Sequence, residues 1–173
     1  MDIVDALSTL AEFSIGLAGF TGIIAIFANS RDSIGGALRF RITNLLALSF
    51  IPGFVSLTAI GLLALFDSTE LVIRISSFLI VLFVLILLIT VYRARGRIPE
   101  HERQILNPLA WDFNITISTL NLCAQLYNVL FVRPYSDGIL IIGLVSTLLI
   151  AAITFCMIIF QIMNAQSTSA DSS

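Results

Sequence analysis

Runs of apolar residues alternate along the chain with short polar breaks, and five of the runs are long enough to cross a bilayer. A helix rises 1.5 Å per residue, so about 20 residues cover roughly 30 Å of hydrocarbon. The runs lie at 6–28, 42–66, 71–92, 107–132 and 138–163, and each is predicted as an α-helix. The pattern therefore predicts an all-α, polytopic transmembrane bundle of five spans forming one domain over 1–164. A disordered polar tail is expected over 165–173. Four spans would result if one segment were re-entrant. Pro52 interrupts the second run, and a proline lacks the amide donor that the helix ladder needs, so a kink is expected there.

The fourth run departs from plain hydrophobicity. Asn107, Trp111, Asn114, Ser118, Asn121, Gln125 and Asn128 follow one another at steps of four and three. Those steps keep a narrow stripe on one side of a helix along its whole length. An unpaired amide in hydrocarbon costs several kcal/mol, so the stripe cannot face lipid. Two readings follow. Asn114, Ser118, Asn121, Gln125 and Asn128 could bond across helices, within or between subunits. They could instead line a watered path through the membrane. Thr116 and Thr119 lie off the stripe and can bond back to their own helix. The fifth run carries a matching sign of close contact, with Gly143, Thr147 and Ala151 spaced by four.

The first run holds Gly16, Gly19 and Gly22 every three residues, which predicts close helix packing. Glu12 lies two turns below Asp5, about 10 Å by helix rise. A carboxylate at that depth must be protonated, paired or hydrated. Its level matches Gln125 and Asn128 if the amino terminus lies outside, so Glu12 is expected to cap the stripe or form an acidic mouth. The third run, Leu79 to Ile89, has no polar residue and is expected to form the lipid-facing wall.

Composition agrees with the pattern. Only 12% of the residues are charged, about half the usual share of a soluble domain. All nine basic residues are arginine, which removes Schiff-base chemistry and with it lysine-bound retinal or pyridoxal phosphate. Cys123 and Cys156 lie inside apolar runs and are expected to be buried thiols. His101 stands alone. No metal-ligand spacing or cofactor fingerprint appears, so neither metal nor cofactor is expected. A net charge of −2 speaks against a nucleic-acid partner.

Charge sets an orientation. Arg31, Arg39, Arg41, Arg93, Arg95, Arg97 and Arg103 gather in the first and third loops, on one side of a five-span chain. The positive-inside rule places that side in the cytoplasm, with the amino terminus outside and the carboxyl terminus inside. Asp2 and Asp5 replace the basic start of a secretory signal, so the opening residues are expected to belong to the mature protein. Glu70 and Arg74, four apart in the favourable order, should pair.

The segment AEFSIGLAGFTGIIAIFANS resembles the opening of a group of small, uncharacterised bacterial multi-pass membrane proteins with a glycine-rich first helix. That resemblance implies a bacterial inner-membrane setting. It implies no function and carries over no site residue.

No triad, metal set or paired-carboxylate arrangement lies within the spans, so an enzyme is not expected. The expectation is a small homo-oligomeric ion channel or pore, its path lined by the fourth helix with Glu12 near the outer mouth. Its partners would be the lipid bilayer, further copies of the chain and ions. The alternative is a non-conducting scaffold or partner-binding subunit that uses the polar and glycine faces for helix association.

Overall fold

The computed structural model describes residues 2–29, 36–66, 68–97 and 108–170, and among these every regular element is helical. The helices are α1 (Ile3–Asn29), α2 (Gly36–Leu65), α3 (Thr69–Arg97), α4 (Pro108–Leu130) and α5 (Ser136–Ala170). Four of them, α1, α2, α3 and α5, are long and apolar enough to cross a membrane. At 23 residues α4 is also long enough, but its carboxamides lower its hydropathy and it falls outside that set.

Local chemistry explains the helix ends. Asp2 starts α1, its Oδ1 accepting from the Val4 amide at 3.4 Å. Ser68 does the same for α3, its Oγ accepting from Leu71 N at 3.4 Å. Between α4 and α5 the chain turns within Phe131–Tyr135. The Ser136 amide donates to Arg133 O, and Ser136 Oγ accepts from Arg133 N, both at 2.9 Å. This tight turn makes α4 and α5 antiparallel neighbours and fixes their register.

The helix α2 is the centre of the bundle, packed against α1, α3 and α5, while α4 packs against α3 and α5. Leu7, Leu10, Val55, Val72, Ile80, Leu140 and Leu144 form one buried cluster. Ile42, Leu45, Leu48, Ile150, Ala151 and Ile158 form a second toward the other end. The outside is as apolar as the core: Phe13, Ile26 and Leu65 are 69%, 72% and 78% exposed. So much exposed hydrocarbon would aggregate in water but suits a lipid surround. Hydroxyls on that surface are self-satisfied. Thr58, Thr90, Thr116 and Thr119 each donate to the carbonyl four residues earlier. The predicted Glu70–Arg74 pair forms at 3.1 Å, with both side chains exposed.

Several expectations need correction. The α3 helix is not simply a lipid-facing wall: Val72, Ser76, Ser77, Ile80 and Val84 are buried along one face, against α2 and α4. Cys123 and Cys156 are exposed thiols rather than buried ones, because each lies on the outer side of its helix. The α5 helix extends to Ala170, beyond the end at 163 expected for the fifth run. At Pro52, where a kink is expected, α2 stays helical on both sides and the proline is fully buried. Arg31, His101, Arg103 and Asn107 lie outside the described residues.

Within the chain, close packing does not involve the glycines of α1. Nothing comes within 4 Å of where a β-carbon would stand at Gly16, Gly19 or Gly22, since that stripe faces away from the rest of the chain. The tight α1–α2 crossing instead occurs at Gly53, where a β-carbon would lie 2.8 Å from Ser14 Cβ. Gly53→Ala should therefore destabilise the bundle by about 1–3 kcal/mol, the cost of overpacking. Gly61→Ala, with open space around it, should leave stability within about 0.5 kcal/mol. Unfolding of the purified variants in mild detergent measures both.

Candidate functional site: the polar seam of α4

The stripe on α4 divides into two halves with different surroundings. In the outer half, Asn121, Gln125 and Asn128 are buried, the last two completely. Each carboxamide nitrogen donates to a backbone carbonyl of α5. Asn128 Nδ2 reaches Ser136 O at 2.9 Å, Gln125 Nε2 reaches Ile139 O at 3.0 Å, and Asn121 Nδ2 reaches Gly143 O at 3.0 Å. The donors step back along α4 by three and four residues while the acceptors step forward along α5 by three and four. Two antiparallel helices with the same face periodicity produce this ladder.

Side-chain contacts extend it. Asn121 Nδ2 also lies 3.3 Å from Thr147 Oγ1, and Gln125 Nε2 lies 3.4 Å from Asn121 Oδ1. Asn128 Nδ2 lies 3.4 Å from Ser77 Oγ, which ties α3 to the seam. A helix carbonyl is normally shielded by its own side chains, and Gly143 has none. A β-carbon there would collide with the amides of Gln125 and Asn121. The Gly143 carbonyl also accepts from Ser146 Oγ and Thr147 Oγ1, each at 2.9 Å. Gly143 and Thr147 of the predicted small-residue face of α5 are thus where the amides of α4 rest, while Ala151 is buried in the second apolar cluster.

In the inner half the stripe meets a cavity instead of a helix face. Asn114 and Ser118 line a space of about 90 Å³ between α2, α3, α4 and α5. Arg41, Asn44, Trp111 and Thr154 share its walls with Leu48, Leu87, Val91, Ile150 and Met157. Asn44 Oδ1 and Asn114 Oδ1 are buried without hydrogen-bond partners. A buried acceptor left bare costs about 1–3 kcal/mol. The Arg95 guanidinium stacks over the Trp111 ring at 4.0 Å, closing the end of the bundle beside the cavity. Asn44 and Thr154 were not singled out from the sequence, and Arg41 was read there only for orientation. Only the fold brings the starts of α2 and α4 beside the ends of α3 and α5.

Glu12 joins neither half. Its side chain is exposed, in an open groove of about 800 Å³ between α1 and α5 that also exposes Thr9, Gly16 and Phe20. Among the described residues it makes no hydrogen bond or ion pair, so within one chain it does not cap the amide stripe. The reason is α5, which stands between the exposed face of α1 and the seam. No three or more His, Cys, Asp or Glu among the described residues are placed to hold a metal ion.

No protein-family model, curated protein or solved structure matches the chain. The site is therefore read from its own geometry.

Gly143→Ala should destabilise the bundle by about 1–3 kcal/mol. The loss should shrink when it is combined with Gln125→Ala, which removes the group it collides with. A double-mutant cycle on unfolding in detergent checks that coupling; additive losses would mean the two side chains do not meet.

Proposed function

We propose that the chain is a non-conducting membrane subunit, a scaffold or partner-binding bundle held closed by the α4–α5 amide ladder. The observation that carries this reading is the use of the three outer carboxamides. All three donate to α5 backbone carbonyls, and Gln125 and Asn128 have no exposed surface. Groups that line a water path keep their bonding capacity turned to water. The amide nitrogens of these three are spent on a neighbouring helix, as in interhelical glue. The surface left for a partner is α1, with its open glycine face and the Glu12 groove. The setting that goes with this reading is a cell membrane, crossed by α4 as well as the four more apolar helices, with the arginine-rich end in the cytoplasm. The resemblance of the first helix adds a bacterial inner membrane.

One observation favours the second reading, a homo-oligomeric channel. Glu12 is an exposed carboxylate within a predicted span, and several copies facing an axis would form an acidic ring. Reconstitution into liposomes separates the two. The scaffold reading expects cation flux no greater than in protein-free vesicles, unchanged by Glu12→Gln. Flux that Glu12→Gln abolishes or re-selects would replace it with the oligomeric channel.

A further inference from the structure

The inner cavity gathers polar groups of several helices around open space. Its walls combine a partly buried guanidinium, Arg41, with two buried carboxamide oxygens that have no donor, Asn44 Oδ1 and Asn114 Oδ1. Ser118 and the single tryptophan of the chain, Trp111, stand alongside. From Trp111 to Ser118 the cavity extends about 10 Å along the helix axis. Leu48, Leu87 and Ile150 form apolar walls. Arg39, Arg93, Arg95 and Arg97 belong to the same end of the bundle.

These groups define a ligand by complement. A guanidinium recognises phosphate through directed, charge-assisted hydrogen bonds. The two carboxamide oxygens need donors, which a phosphate group alone does not supply. Hydroxyls supply them without charge. Basic pockets between helices at the cytoplasmic side of a membrane are suited to anionic headgroups.

The geometry points to a binding site for a phosphate that carries a hydroxylated substituent, as in a phosphoglycerol head. Arg41 holds the phosphate, and Asn44 and Asn114 accept from the hydroxyls. The same chemistry is offered by an anionic phospholipid of the adjoining leaflet and by a free phosphorylated polyol. The site stands apart from the amide ladder, so it does not rest on whether the bundle conducts.

Trp111 makes the test direct, because the one tryptophan reports from the cavity wall. The purified full chain in neutral detergent is titrated with phosphatidylglycerol, with phosphatidylcholine of the same acyl chains, and with glycerol phosphate, following tryptophan emission. A saturable change is expected with phosphatidylglycerol and not with phosphatidylcholine. Arg41→Gln and Asn114→Leu should each weaken binding at least about tenfold, as for the loss of a charge-assisted or buried hydrogen bond. Asn44→Asp, which changes charge but hardly size, serves if Asn114→Leu fails to fold. Arg97→Gln, exposed and outside the cavity wall, should bind as the parent does. Saturation by glycerol phosphate with the same variant pattern assigns the site to a soluble polyol phosphate. The proposal is overturned if phosphatidylglycerol and phosphatidylcholine behave alike while glycerol phosphate is silent. It is equally overturned if Arg41→Gln binds like the parent, or if Arg97→Gln loses as much as Arg41→Gln.

Discussion

A carboxamide cannot be left bare in hydrocarbon, and the arrangement of α4 and α5 follows from that constraint. Three amides of α4 find three backbone carbonyls of α5 at 2.9–3.0 Å. Each such bond across helices contributes on the order of 0.6–2 kcal/mol in a membrane. Their larger effect is on specificity. A shift of register by one residue would carry all the amides off the row of carbonyls and strand them in oil. The ladder therefore fixes the rotation and height of α4, the helix that falls outside the set apolar enough to cross a membrane. Asn128 reaches on to Ser77 and brings α3 into the same register.

The ladder ends at Asn121, and below it the stripe borders open space instead of a helix face. From Asn114 to the arginine-rich end, the stripe borders a cavity whose walls present a cation and unpartnered acceptors. One periodic pattern thus serves two purposes along a single helix, closure in one half and an open polar recess in the other. In the outer half the amides are buried against α5, whereas in the inner half the stripe borders open space. The lipid-facing side of the bundle shows the same economy: its threonines bond to their own helices, so the only exposed carboxylate deep in a candidate span is Glu12 among the described residues.

Much of this was legible in the chain. Hydropathy marks the helices, because length and apolar content are set by the thickness of hydrocarbon. The steps of four and three in α4 identify a shared face, and the i, i+4 set of Gly143, Thr147 and Ala151 identifies the face that receives it. Which glycines make close contact was not legible. Gly16, Gly19 and Gly22 have the better motif, yet Gly53 and Gly143 have the neighbours, since a motif records only that approach is allowed. The burial of Ser76 and Ser77 in an otherwise apolar helix was missed for the same reason: periodicity says nothing about a face until a partner is known. The cavity was hidden because Arg41, Asn44, Asn114 and Thr154 come from three helices that meet only in the fold.

Hydrogen exchange of the side-chain amides tests the central claim most directly. In detergent micelles or bicelles, NMR can follow the NH₂ groups of Asn121, Gln125 and Asn128 after transfer to deuterated water. The ladder predicts exchange orders of magnitude slower than for a free primary amide, with all three protected together. Exchange of these groups at the rate of a solvent-exposed amide would mean that the stripe faces water, and the closed seam would have to be abandoned.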